Sequence, residues 1–256
     1  MTPELAPTTR PSVKAGRTPR KPQQDRGHER VAAILDACAR VLECDGEAGL
    51  TMHRLAKESG TSIGSLYHFF PDKQSVFAAL NQRHTDALCT ITKRLEQIDD
   101  HVWKRLSTAQ MVERLIVPFL AYIARHPDIQ LLLSPTLGDR QLHSPALRAA
   151  VRSIYERVLH MRLPDASAED LRAYSAVLLS IPSGMFQSST ETDESLERIW
   201  LQEIPRALIG YLKALEARAS FHQQTKDAAD SARTVSEHLD RSQGPVIGGA
   251  TYSSYW

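Results

Sequence analysis

Residues 51–73 read TMHRLAKESGTSIGSLYHFFPDK, and their spacing predicts two short helices joined by a glycine turn. Thr51 is a good N-cap, since its hydroxyl accepts a backbone N–H that the first turn leaves unpaired. Met52, Leu55 and Ala56 then recur at helical spacing. Ser59-Gly60 ends that helix, because glycine enters the left-handed conformation past a helix terminus without a Cβ penalty. Thr61 and Ser62 offer capping hydroxyls for a second helix. In it Ile63, Leu66, Phe69 and Phe70 form an inward stripe, while Ser65, Tyr67 and His68 stay outside. Pro71 stops it, since its ring removes a donor and restricts the residue before it. A small polar helix end on a compact apolar scaffold is what a helix-turn-helix places in a major groove.

The residues around this stretch make the match specific. Ile34-Leu35 with Ala37, Gly46, Thr51-Met52, Leu55-Ala56, Gly60, Ser62, Gly64-Ser65-Leu66-Tyr67, Phe70 and Lys73 follow in order. The stretch resembles the DNA-binding domain of TetR-family transcriptional regulators. Two positions depart from the family pattern: Thr61 stands where valine is usual, and Phe69 where histidine or tyrosine is usual. Both adjoin the reading surface, so the operator sequence does not carry over. The resemblance implies an all-α fold, with an N-terminal three-helix DNA-binding domain over residues 25–73 and a helical ligand-binding and dimerisation domain over residues 74–218. It also implies that Tyr67 and Lys73 touch the DNA backbone.

The chemistry of the second helix agrees. Ser62, Ser65, Tyr67 and His68 carry hydroxyls and an imidazole that exchange hydrogen bonds with base edges and phosphates. Thr51, Thr61 and Gly64 complete the expected contact surface. From Thr61 to Phe70 there is no formal charge, so this helix itself has no arginine for guanine, and specificity leans on hydroxyls, thymine methyls and DNA shape. Attraction is assigned to Arg54, Lys57, Lys73 and the basic segment at the N-terminus. Net charge over 256 residues is only +1, so DNA affinity has to be a local property.

Residues 1–24 are rich in Pro, Thr, Arg and Lys, with Glu4 the one acid. That composition predicts a disordered basic arm. Two roles are open for Arg10, Lys14, Arg17, Arg20 and Lys21: contact with phosphates or a minor groove, or plain solvation. From Asp25 to Cys44 an apolar stripe including Ile34, Leu35, Cys38 and Val41 predicts a bracing helix. After Asp72 another helix carries Phe77, Leu80, His84, Leu88, Ile91 and Leu95, with His84 read as ordinary packing. Helical patterns continue over Thr108–Arg125, Ser144–Leu163, Ala166–Gln187 and Ser195–Ala217. Pro118 is expected to kink the first of these or to restart it, Pro182 and Gly184 to interrupt the third. Asp128–Leu133 reads as a short apolar turn before a loop at Pro135 and Gly138. Residues 219–256 read as a disordered tail that ends in Tyr252, Tyr255 and Trp256.

Three cysteines, Cys38, Cys44 and Cys89, are odd in number and fit no CxxC or zinc spacing, and no apolar run spans a bilayer. The expectation is a cytoplasmic protein without a membrane partner. No catalytic motif and no metal-ligand spacing occurs, so no catalytic residue, metal or cofactor is assigned. By resemblance, a ligand pocket lies among Trp103, Met111, Phe119, Tyr122, Tyr155, Met185 and Phe186, whose character suits an apolar or aromatic molecule. The resemblance also implies that the last two long helices pair with their copies in a homodimer, with Tyr174, Leu178, Ile181, Trp200, Ile204, Leu208 and Tyr211 expected at the interface. The function read from all this is sequence-specific transcriptional regulation. A homodimeric repressor binds a double-stranded palindromic operator and is released by a small-molecule effector. Its rivals are a DNA-binding dimer with no effector and an all-helical enzyme on the same fold.

Overall fold

Asp72 opens the helix that joins the two halves of the molecule. Its carboxylate accepts from the Ser75 backbone N–H at 2.7 Å, and the Ser75 hydroxyl lies 3.3 Å from the Asp72 N–H, a reciprocal cap. The computed structural model describes residues 23–133, 144–188 and 194–242. Among these it is wholly helical: α1 (Gln23–Asp45), α2 (Met52–Glu58), α3 (Ile63–Phe69), α4 (Lys73–Glu96), α5 (Asp100–Arg105), α6 (Thr108–Ala124), α7 (Asp128–Leu133), α8 (Pro145–Arg162), α9 (Ala168–Ser188) and α10 (Glu194–Ser242). The basic arm up to Pro22, the Pro135–Gly138 loop and the aromatic C-terminal end lie outside the described residues.

Two apolar cores form. Ile34, Leu35, Cys38, Val41, Leu55, Leu66 and Phe70 of the first three helices and their connections close on Val76, Phe77 and Leu80 of α4. The first turns of α4 therefore belong to the DNA-binding half, beyond the boundary expected at residue 73. A larger core gathers Trp103, Met111, Leu115, Tyr155, Val158, Leu178, Ile204 and Leu208 from α5, α6, α8, α9 and α10. Burying each such side chain stabilises the fold by about 1.5–3 kcal/mol. Arg157 of α8 clamps the end of α4 by donating to the Glu96 and Ile98 carbonyls at 2.9 and 2.8 Å, which satisfies groups that a helix terminus leaves open.

Three expectations change. Pro182 lies inside a continuous α9, whereas Pro118 lies inside a single α6, which leaves a kink and not a restart as its expected effect. Asp128–Leu133 is a helical turn and a half, α7, whose Leu132 belongs to the core of the DNA-binding half. The segment from 219 is helical as far as Ser242, the end of α10. It contains no Gly or Pro, the two residues most costly inside a helix, so nothing in it breaks the helix after its apolar stripe fades. Every side chain from Ser220 to Thr234 is exposed.

Candidate nucleic-acid interface

The turn between α2 and α3 is built as the residues require. Thr51 Oγ1 accepts from Arg54 N at 3.2 Å, and Ser62 Oγ accepts from Ser65 N at 3.3 Å. Gly60 has φ +64°, and around it Gly60 N donates to Lys57 O at 3.2 Å and Thr61 N to Ala56 O at 3.0 Å. These two bonds are the paired closure of a left-handed helix end. Leu66 is wholly buried and anchors α3 to the core. Ser62, Gly64, Tyr67 and His68 are exposed around it, and Tyr67 keeps 47% of its surface.

Ile63 departs from the expected inward stripe: it is 38% exposed. As the first residue of α3 it stands one turn before Tyr67, and side chains four apart share a helix face. An apolar residue there suits a thymine methyl. The i, i+4 relation to Tyr67 was available in the sequence as the signal for it.

Two of the three expected cations are engaged within the protein, and the third, Lys57, is exposed on α2. Arg54 forms an ion pair with Asp45. Lys73 Nζ donates to the Glu47 carbonyl at 2.9 Å and lies 3.5 Å from the Glu47 carboxylate, with the ammonium over the Phe77 ring at 5.8 Å. Both residues brace the α1–α2 connection. Arg30 of α1, which sequence reasoning did not single out, reaches the reading helix, where its Nη1 donates to Ser65 Oγ at 3.2 Å. Residues 35 apart meet there, a tertiary contact that carries no local signal.

Five of the residues expected around a ligand share one core, but only two of them line a cavity in it. Met111 and Tyr155 line an apolar cavity of about 20 Å³ with Leu115, Leu178 and Leu208, room for about one water molecule. Burial pushes the Tyr155 hydroxyl well above its ordinary pKa. Trp103 is buried in the same core, and its Nε1 has no hydrogen-bond partner among the described residues. Phe119 and Met185 pack at the edges of that core. Tyr122 is held instead by His84, with Oη 2.8 Å from Nδ1, while His84 Nε2 lies 2.8 Å from Asp128 Oδ2. His84 is therefore more than ordinary packing: it is a fully buried polar link between α4, α6 and α7. The Phe186 side chain lies outside the described residues.

Of the side chains expected at the dimer interface, Leu178, Ile204 and Leu208 are instead inward, at 5, 0 and 3% exposure. They are consumed by the subunit's own core. Tyr174, Ile181 and Tyr211 are half-buried at its edge, and Trp200 lies outside the described side chains. The outward face of α9 carries Ala173, Ala176, Val177, Ser180 and Gly184, and that of α10 carries Ala207, Gly210, Ala214 and Ala217. Among the described residues no group of His, Cys, Asp and Glu is placed to hold a metal, and no helix is long and apolar enough to cross a membrane.

Known proteins share this organisation. Residues 34–80 match the N-terminal domain pattern described as bacterial regulatory proteins, tetR family, and residues 107–212 match a tetracyclin repressor-like C-terminal domain. The nucleoid occlusion factor SlmA of Aliivibrio fischeri (strain MJ11) is 30% identical over 142 residues, which cover 55% of this chain and 65% of that protein. The SlmA of Vibrio campbellii is 32% identical over 126 residues, covering 49% and 60%. The chain thus spans less than two thirds of these relatives' length. A TetR transcription regulator from Haloarcula marismortui shares the fold, with a TM-score of 0.56 at 20% identity over 73% of this chain and 98% of that one. Two domain patterns in the family's order, on the family's fold, make this chain a member of the TetR family of bacterial regulatory proteins.

Proposed function

We propose that this TetR-family DNA-binding regulator acts as a homodimeric repressor on a palindromic operator. The observation that carries the reading is the exposed face of α3, where Ile63, Gly64, Tyr67 and His68 surround the buried Leu66 under a Ser62 cap. Two copies of that face have to meet half-sites about one helical turn apart, roughly 34–36 Å. The outward small residues of α9 and α10 support dimerisation, because alanine and glycine let helix axes approach closely while the bulky residues fill the subunit core. The test is selection of duplexes from a random library by the full-length protein, followed by gel shift. Tyr67→Ala is expected to abolish binding to the selected duplex and to leave the dimer intact. Unchanged affinity overturns the assignment of α3 as the reading helix.

Release by a small apolar or aromatic molecule is the finer part of the proposal. The buried, unpartnered Trp103 Nε1 supports it, since such a donor is satisfied by a bound acceptor. The cavity of about 20 Å³ favours the second reading, a DNA-binding dimer without an effector. A ligand acts only by binding the DNA-incompetent state more tightly. Thermal shift against apolar and aromatic compounds separates the readings: a true effector raises the melting temperature and weakens binding to the selected duplex. A screen with no shift leaves the effector-free dimer as the function.

A further inference from the structure

We infer that Arg30, carried on α1 and held by Ser65, is a DNA-contacting residue that supplies the reading surface with the charge its own helix lacks. The inference rests on the reading of α3 given above. Between Thr61 and Phe70 there is no Lys or Arg, while Arg54 and Lys73 face Asp45 and Glu47. A carboxylate partner offsets most of a cation's attraction for phosphate. Arg30 is exposed, and on α3 it meets a neutral hydroxyl, Ser65 Oγ, at 3.2 Å.

That bond offsets none of the positive charge and uses one of five guanidinium donors. It does fix where the guanidinium sits. Ser65 is the third residue of α3, and the first turn of a recognition helix is the part that approaches base edges. A side chain anchored there points a planar fork of donors at the groove or its flanking phosphates, with much of its rotamer freedom already restricted. Ser65 thereby acts as a positioning residue.

The test uses the full-length protein and the duplex it selects. Arg30→Ala is expected to lower affinity roughly tenfold, within the range of one good arginine contact, and Arg30→Gln to behave the same while keeping the length of the stem. Ser65→Ala should weaken binding less, and Ser65→Ala added to Arg30→Ala should cost nothing more, because the hydroxyl acts through the guanidinium. A phosphate contact shows as a salt slope reduced by about one, and a base contact as lost preference at one position of each half-site. Either identifies the acceptor and supports the inference. Wild-type affinity and salt slope in both Arg30 variants, with circular dichroism unchanged, overturn it. Failure of the wild-type protein to select any sequence overturns the α3 reading instead.

Discussion

Gly60 sits at φ +64°, and a Cβ built there meets nothing within 4 Å. The objection to any other residue is conformational alone: the left-handed region costs an L residue roughly 1–2 kcal/mol. Gly60→Ala is therefore expected to lower unfolding free energy by about 1 kcal/mol in urea without loss of helix content, and an unchanged midpoint contradicts the closure described for α2. Gly49 differs, since its φ is not left-handed and an added Cβ would lie 2.4 Å from Asp45 Cβ, beside the Arg54 guanidinium. The first glycine was legible in the sequence, because a Ser-Gly pair after a short apolar period signals a helix end. The second was not, because its constraint is a packing distance. Cys38 was legible too: the stripe of α1 put it inside, and burial, aided by Asp128, pushes its thiol up to about 12. It packs and does not react.

At the scale of the element, α7 carries the connection between the halves. Leu132 closes the DNA-binding core, Ile129 packs with Leu88 and Ile123, and Asp128 bonds His84. The long helices were legible from their three-four spacing, but six residues are too few to show a period, so α7 read as a turn. His126 stacks on Tyr122 at 4.3 Å between ring centres and meets His84 at 5.6 Å. Its pKa is lowered from 6.5, mainly by burial. His84, Arg83 and Arg125 push the same way, and Asp128 opposes them. The unfolded chain then takes up this proton first as pH falls. The stability linked to His126 is present above pH 6.5 and is lost as pH drops below it, towards the folded value. His126→Asn is expected to flatten the decline of the urea midpoint between about pH 7 and pH 5. Parallel curves would show that His126 titrates alike folded and unfolded.

For the whole molecule, what the sequence could not separate is the inside of a subunit from the inside of a dimer. Leu178, Ile204 and Leu208 are apolar at helical spacing, and that pattern is the same whether the face meets its own α6 or a second copy. Burial decides it: the three are inward, and the stripe left outside is Ala173, Ala176, Val177, Ser180 on α9 and Ala207, Gly210, Ala214, Ala217 on α10. The two helices pack on each other, so these stripes offer one surface for close helix approach. Gly210 is the sharpest probe of it. A Cβ there meets nothing within 4 Å in the subunit, and replacing a mid-helix glycine favours the helix by roughly 0.5–1 kcal/mol. Gly210→Arg should therefore fold with full helix content. Across the two-fold interface proposed above, however, it would bring two long cations against the small residues of the second copy. The expected outcome is sedimentation as a monomer at micromolar concentration, with loss of high affinity for the two-half-site duplex. A stable dimer of Gly210→Arg would place the dimer contact elsewhere on the molecule.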